Sequence, residues 1–520
     1  MNYLKYYQKL RISLAEKKGY IIFLILVFFL IKLGFLFKFH EFFWDESVYI
    51  GMGKYIFSLG NIGIWEPMRP IILPVILGGI WRLGLDLAFF GGLIILLFSC
   101  GTILLTYLIA EELFDRKIAL ISSLILAFTP VFFKFSILFM TGIPSAFFSM
   151  LAIYLYIRKK SLFMVGFFAS ISFLTRFPQA LIVISIGLVI ILDFLRKMAD
   201  GKSIINKESN KKERKSIIKD NINILSRQLT SYSSGILFPV VLFFIANLLM
   251  YKNVTSGISD AIFRPLILAF THVSNIHESV GGTIYNLFFY FIEVFLNNYL
   301  LAFAIAGLII AFSIRKHRTR ILILIVPLIA YIVFFTMIIN KQLRFSILFL
   351  PLVAIFAGYA IIEIIKYTLI IKSGFIKLTL KYIIFIFLIS FVIFSSSMIL
   401  IQDFRIFQDM PEEPPDIVND FYYGKIANYK EPILTSDPTS LAYIDKHMIA
   451  YYQDNVEGLE IYEENKLNFG TIIFHNEVYP CLKEDRECLR RNREFQKKIE
   501  SENILIDEVE YYGIKYFIFK

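Results

Sequence analysis

The sequence predicts a polytopic α-helical membrane protein with a small exterior domain at its C-terminal end. Three observations carry that expectation. Of 520 residues, 57% are hydrophobic and only 18% charged, and phenylalanine alone numbers 55. Apolar runs near 20 residues, the length that spans a bilayer as a helix, recur along the first 400 residues. The cations behind the net charge of +11 sit mainly between those runs. Membrane topology explains such a placement better than nucleic acid does, so no nucleic-acid partner is expected.

Residues 1–19 carry Lys5, Lys9, Arg11, Lys17 and Lys18 and mark a cytoplasmic N-terminus. Span one, Tyr20 to about Lys38, has no small-residue cleavage site after it and reads as a retained anchor. The outer loop Phe42–Pro70 then opens with the acid pair Asp45 and Glu46. After it Val48, Tyr49, Met52, Tyr55, Ile56 and Leu59 recur at helical spacing, the pattern of an amphipathic helix lying in the membrane interface. Pro70 to Leu85 is apolar but short and holds Arg82, so it reads as a second juxtamembrane helix.

The remaining spans follow in order: Ala88–Leu113, Ile118 to about Met140, Ile143–Ile157, Leu162–Leu174 and Ala180–Leu195. The most basic loop, Arg196–Tyr232, comes next, then Gly235–Tyr251, Leu300–Ile314, Ile321–Asn340, Phe345–Ile365 and Tyr382–Ile401. With Pro70–Leu85 kept out of the membrane there are about eleven crossings, and five strongly basic loops fall on the cytoplasmic side. The outer loop 252–286 holds Arg264, His272, His277 and Glu278, and Ile284–Asn297 has the spacing of a third surface helix. Two histidines five apart do not share a helix face, which argues against a metal there.

From Gln402 the composition changes. A Pro- and Glu-rich linker at 411–415 leads into alternating apolar and polar stretches. Residues 1–401 are therefore expected to form the transmembrane domain, and 402–520 a small α/β or α+β domain outside the cytoplasm. Cys481 and Cys488 lie too far apart for a C-x2-C zinc knuckle. A disulfide-closed loop is the favoured reading if that region faces an oxidising exterior.

On this topology Asp45, Glu46, Arg69, Lys134, Arg176 and the run Lys341-Gln342-Leu343-Arg344 gather at the outer ends of spans. Any single cation there is explained by snorkelling of its head to the interface. Together with an acid they suit one chemistry. The cations would hold an anionic lipid phosphate, and the acid would take a proton from an acceptor hydroxyl.

Four stretches carry a resemblance: FFWDESVYIGMGKYI, RPIILPVILGGIWRLG, FLTRFP and KQLRFSILFLPLVAIFAGYAI. In their order they resemble the GT-C membrane glycosyltransferases, specifically the protein O-mannosyltransferase and lipid A aminoarabinose transferase superfamily. The resemblance spans roughly residues 20–400. It implies a polyprenyl (dolichyl) monophosphate sugar as donor and transfer with inversion to a protein, glycan or lipid acceptor. By position it implies Asp45 as base and Glu46 as its companion. Arg69 and Arg344 stand as donor-phosphate ligands, with Lys341 a weaker candidate. One departure stands out: many relatives carry a second acid on the next outer loop, where this chain has MTGIPS and Gly142. Glu66 and Glu278 are the acids that could take its place. No cofactor is called for, and nothing in the residues supports a divalent metal. The competing class is a secondary transporter or lipid flippase, which should show internal repeats and polar residues near the bilayer midplane; the sequence shows no repeat.

Overall fold

The computed structural model describes residues 2–38, 41–66, 69–204, 211–251, 283–313, 320–338, 341–368, 418–451, 456–466, 468–475, 486–511 and 514–520, with 379, 386, 401 and 405 singly. The chain is mostly helical and divides into two compact units. One comprises Met1–Phe35, Leu93–Ile245 and Ile267–Gln408; the other comprises Leu36–Gly92, Ala246–Leu266 and Asp409–Lys520.

The first unit is built of apolar helices: α1 (Asn2–Phe35), most of α4 (Leu87–Leu113), α5 (Arg116–Ala127), α6 (Pro130–Phe135), α7 (Gly142–Ile157), α8 (Leu162–Thr175), α9 (Ala180–Ile204) and α10 (Lys211–Tyr251). After these come α11 (Thr283–Asn297), α12 (Phe303–Ser313), α13 (Leu322–Met337) and α14 (Leu350–Thr368). Neighbours α7 and α8 pack together, and α14 packs against both α12 and α5. Small residues bring backbones close. A side chain on Gly166 of α8 would run into the Tyr232 carbonyl of α10, and one on Gly235 of α10 into the Phe163 carbonyl of α8. Hydroxyls join other segments: Ser99 Oγ donates to the Ser136 carbonyl at 2.9 Å and Ser172 Oγ to the Ser145 carbonyl at 2.8 Å.

Several expected elements differ. The third span is broken: α5 stops at Ala127 and α6 restarts with Pro130 in its first turn. Proline biases the residue before it away from helix yet suits a helix start, so the break falls at Phe128-Thr129. The basic stretch Arg196–Tyr232 is no loop over its described part. There α9 continues to Ile204, and α10 opens on the lysine-rich KKERK. Lysine, arginine and glutamate are good helix formers, so a charge run ends burial in hydrocarbon without ending the helix. The Phe345 span begins as a 3-10 turn, Leu343–Leu348, before α14. Among the described residues three stretches are long and apolar enough to cross a membrane: Leu87–Leu113, Phe177–Met198 and Asp220–Ala246. Shorter apolar helices include α7, α8 and α13. Most of the expected span Tyr382–Ile401, the loop residues Arg264, His272, His277 and Glu278, and the 411–415 linker lie outside the described residues.

The second unit joins α2 (Trp44–Phe57) and α3 (Ile72–Arg82) to a five-stranded sheet. Its strands are β1 (Ile433–Thr435), β2 (Met448–Ala450), β3 (Thr471–His475), β4 (Leu505–Tyr511) and β5 (Ile514–Phe519), in the order β2-β1-β3-β5-β4. The first three run parallel, and β5 and β4 return antiparallel. Side chains alternate between two buried faces. Leu434, Ile472, Phe474 and Phe519 meet Tyr462 of α15 (Val456–Asn465) and Phe495 and Ile499 of α16 (Arg486–Glu502). Ile433, Ile473 and Ile518 share a core with Val48 and Met52 of α2 and with Phe421, Leu441 and Ile444. Cover on both faces explains why β1, β3 and β5 read as continuous apolar runs.

That second core corrects the interface reading of α2. Every residue from Glu46 to Tyr55 is buried. The helix is enclosed by α3 on one side and the 438–442 turn on another. At Gly53 and Gly78 the α2 and α3 backbones come so close that a Cβ on Gly53 would lie 2.6 Å from the Pro74 carbonyl. The expected Cys481–Cys488 pair lies outside the described residues, which include Cys488 only as backbone of α16.

Candidate active site

The site builds from the start of α2. Glu46 is fully buried, and its Oε2 accepts from the Phe43 backbone N–H at 2.9 Å, closing the first turn of the helix. Its neighbour Asp45 is about a quarter exposed, and its Oδ1 accepts from Arg69 Nη1 at 2.6 Å. The first turn of a helix favours a carboxylate there through the macrodipole. Arg69 Nε donates to the buried Glu66, and its guanidinium lies over the Tyr49 ring, 5.3 Å from the centroid. One arginine thus bridges two carboxylates, and Tyr49, one turn along α2 from Asp45, supports it from beside. Sequence reasoning named Asp45, Glu46 and Arg69 and offered Glu66 as a substitute acid; the structure bridges Asp45, Arg69 and Glu66, while Glu46 bonds to the Phe43 N–H.

Behind them, α2 is tied to the sheet by a side chain that sequence reasoning passed over. Lys54, 2% exposed, donates to the carbonyls of Leu441 at 2.8 Å and Ile444 at 3.0 Å and pairs with Asp445 at 2.8 Å. Burial draws its pKa below the usual lysine value, with Asp445 opposing. Trp81 of α3 donates from Nε1 to the same Asp445 carboxylate at 3.2 Å. The Tyr443 hydroxyl accepts from the Phe42 N–H at 3.1 Å, and Gly63 bridges to the 446–448 segment, its N–H donating to the Lys446 carbonyl at 2.7 Å. The signal for Lys54 was present in GMGKYI, a lone cation inside an otherwise apolar helix.

The other predicted residues form a group in the helical unit. Arg176, extended at the end of α8, donates from Nη1 to Thr141 Oγ1 at 2.9 Å. Arg344 donates from Nε to Gln342 Oε1 at 2.5 Å and from Nη1 to Met140 Sδ at 3.7 Å. Both guanidinium carbons lie near the Phe345 ring, at 5.1 and 5.9 Å from its centroid. Lys341 is used differently. Its Nζ donates to the carbonyls of Thr336 at 2.8 Å and Ile338 at 2.6 Å, closing the C-terminal end of α13. Burial lowers its pKa. Gly142 opens α7, and a Cβ there would meet Ile347 at 3.6 Å, an ordinary contact. Among the described residues no group of three or more His, Cys, Asp or Glu side chains is gathered as for a metal ion.

Together, the apolar helices, α2 and α3 after α1, and the small C-terminal sheet make up a fold shared with two sets of solved structures. Residues 68–203, about a quarter of the chain, match the family model of dolichyl-phosphate-mannose-protein mannosyltransferases. The chain is similar in structure to ArnT from Cupriavidus metallidurans bound to undecaprenyl phosphate, with a TM-score of 0.61 at 12% identity over 96% of this chain and 98% of that one. It is also similar to the Archaeoglobus fulgidus oligosaccharyltransferase in its apo form, with a TM-score of 0.57 at 13% identity over 88% of this chain and 69% of that one. The same enzyme, AglB, in complex with an inhibitory peptide and a dolichol-phosphate gives a TM-score of 0.53 at 12% identity, with 88% and 69% covered. No curated protein matches the chain in sequence.

Proposed function

We propose that the chain is a membrane glycosyltransferase that moves one sugar from a polyprenyl (dolichyl) monophosphate to an acceptor hydroxyl outside the cytoplasm. Asp45 is the base. As the acceptor oxygen attacks the anomeric carbon, its proton passes to Asp45. The bond from that carbon to the phosphate oxygen breaks, and the electron pair leaves with the lipid phosphate. Attack from the face opposite the phosphate inverts the anomeric centre. Arg69, itself fixed by Glu66, orients the Asp45 carboxylate. Glu46 has a positioning role through the first turn of α2.

The observation that carries this reading is the Asp45–Arg69–Glu66 bridge at the start of a buried helix. It also bears on the acid absent at Gly142. Where a divalent ion would need two or more carboxylates, Arg69 supplies positive charge between the two that are present. Arg344 is kept as a candidate ligand of the donor phosphate and Arg176 is added to it, since guanidinium groups bind phosphate oxygens in fixed geometry; Arg69, expected beside Arg344, is engaged by Asp45 and Glu66 and is the lesser candidate. Lys341 is the weaker candidate, its amine being engaged at the end of α13. Donor, acceptor and membrane lipid are the partners. The acceptor is a protein, glycan or lipid.

In this reading residues 1–401 form the multi-pass part, with about eleven crossings and a cytoplasmic N-terminus. Residues 402–520 form the extracytoplasmic part, which holds α2 from outside. The decisive experiment follows label from radiolabelled polyprenyl-phosphate sugars into acceptor in membranes, with wild type beside Asp45→Asn. Transfer by wild type and its loss in an equally expressed variant support the assignment. Equal turnover by both removes Asp45 as base, and an acceptor product of retained anomeric configuration rules out the single displacement.

A further inference from the structure

The helical unit holds a second polar feature that the proposed reaction does not use. A cavity of about 1030 Å³ opens among the ends of its helices. All three stretches long enough to cross a membrane contribute to it: α4 through Glu112, α9 through Asp193 and Lys197, and α10 through Asn221 and Gln228. Six cationic side chains line it against two acids. Both acids already have partners, since Glu112 accepts from Arg158 Nη1 at 2.8 Å and Asp193 accepts from the Tyr156 hydroxyl at 2.6 Å. Apolar side chains line it as well, with Leu162, Val189, Ile190 and Ile323 among them. Cations and apolar side chains lining one cavity, at the ends of membrane-length helices, make the environment of a lipid headgroup and the start of its chains.

The backbone adds an independent observation. Helix α7 ends in a Schellman turn, in which Lys160 N–H donates to the Leu155 carbonyl at 2.9 Å and Lys159 N–H to that of Tyr156 at 3.0 Å. This turn places residue 159 in the left-handed region, φ 51°, where glycine is the usual occupant. Among the described residues only Leu59 shares a positive φ without being glycine. A lysine is kept there against its backbone preference, and it lines the cavity. The other end of α7 starts beside Thr141, which holds Arg176. Sixteen residues at 1.5 Å rise separate the two ends by about 24 Å, so this cavity is distinct from the arginine pair.

We propose that this cavity binds the phosphate-bearing headgroup of an anionic membrane lipid, with Lys159, Lys160 and Lys197 contacting the phosphate. The test uses the full chain purified in detergent, read by native mass spectrometry and by thermal unfolding. Phosphatidylglycerol, phosphatidylcholine and inorganic phosphate are added in turn. The variant is Lys159→Gly with Lys160→Gln and Lys197→Gln, in which glycine suits the turn and protects the fold. Wild type should retain phosphatidylglycerol and gain thermal stability from it. The variant should bind it about tenfold or more weakly while unfolding at the wild-type temperature in lipid-free detergent. Arg490→Gln with Arg491→Gln, both exposed on α16, should bind as wild type does. Equal phosphatidylglycerol binding by the triple variant overturns the proposal, as does equal uptake of phosphatidylcholine. A thermal shift with inorganic phosphate as large as with the lipid reassigns the cavity to a soluble anion and overturns the lipid.

Discussion

The start of α2 and the Arg176–Arg344 group are both polar sites bordering apolar helices, yet they are built on opposite plans. At α2 a single arginine is bonded to two carboxylates and rests on a tyrosine. Around Phe345 two arginines are held by a hydroxyl, an amide oxygen, a thioether and a ring. A carboxylate partner neutralises the guanidinium it orients; hydroxyl, amide, thioether and ring contacts orient it without adding a negative charge of their own. The first plan suits a site that accepts a proton, the second one that receives an anion. Each substitution below tests whether that division is real.

The largest effect is expected from Asp45→Asn. It keeps the shape and removes the proton acceptor, so kcat should fall by about 10²–10⁴-fold with little change in donor KM. A comparable fall in donor affinity would mean that Asp45 serves binding, and the division would fail. Next come Arg344→Ala and Arg176→Ala. Removing a group that stabilises developing charge typically costs about 10²–10³-fold in kcat. If these arginines also grip the ground-state phosphate, donor KM rises as well, and lysine at either position should restore only part because it lacks the planar fork. Steady-state kinetics on defined donors separates the two patterns.

Lys54→Met probes the scaffold. It leaves the Leu441 and Ile444 carbonyls without the amine and removes the partner of Asp445. Asp445 is half exposed and can be hydrated, so the loss should be about 1–3 kcal/mol rather than the larger figure for a fully buried pair. The measurement is protection of the 418–520 region from protease in folded membranes. Unchanged protection would show that the apolar core shared by Val48, Met52 and Leu441 holds α2 unaided.

These expectations draw unevenly on the sequence. Asp45, Arg69 and Arg344 were legible because a charge beside a long apolar run is costly and therefore conspicuous. Four of the five strands were legible as apolar stretches, whereas β4, reading LIDEVEY, hid behind its three acids. Lys54 was overlooked because helical periodicity in 48–59 fits a half-buried helix, and only the exterior sheet reveals that its remaining face is covered too. The pairing of Arg176 with Arg344 about one ring joins residues 168 positions apart, and local pattern cannot report that. Likewise, the Arg69 bridge between Asp45 and Glu66 depends on the path of the 57–69 loop, which spacing alone leaves open. Helix extent was misread where charge was taken for a loop, at α9 and α10.

The smallest and most discriminating change is Gly142→Asp. It introduces the acid that the resemblance leads one to expect, next to Thr141, at a position where a Cβ meets only Ile347 at ordinary contact distance. Gly142 is buried, so the new carboxylate should cost about 1–3 kcal/mol of stability unless it gains a partner. The new carboxylate would stand next to Thr141, whose hydroxyl accepts from Arg176, and would add a negative charge near that arginine. At an effective dielectric near 20 and a separation of some 8–10 Å, the repulsion felt by a bound phosphate is about 1–2 kcal/mol before salt screening. Donor KM should therefore rise about three- to tenfold, while kcat changes less. A lowered KM, or turnover that becomes dependent on added divalent cation, would show that the arginine group gains from an acid, and the contrast between the two plans would then not describe how this protein works.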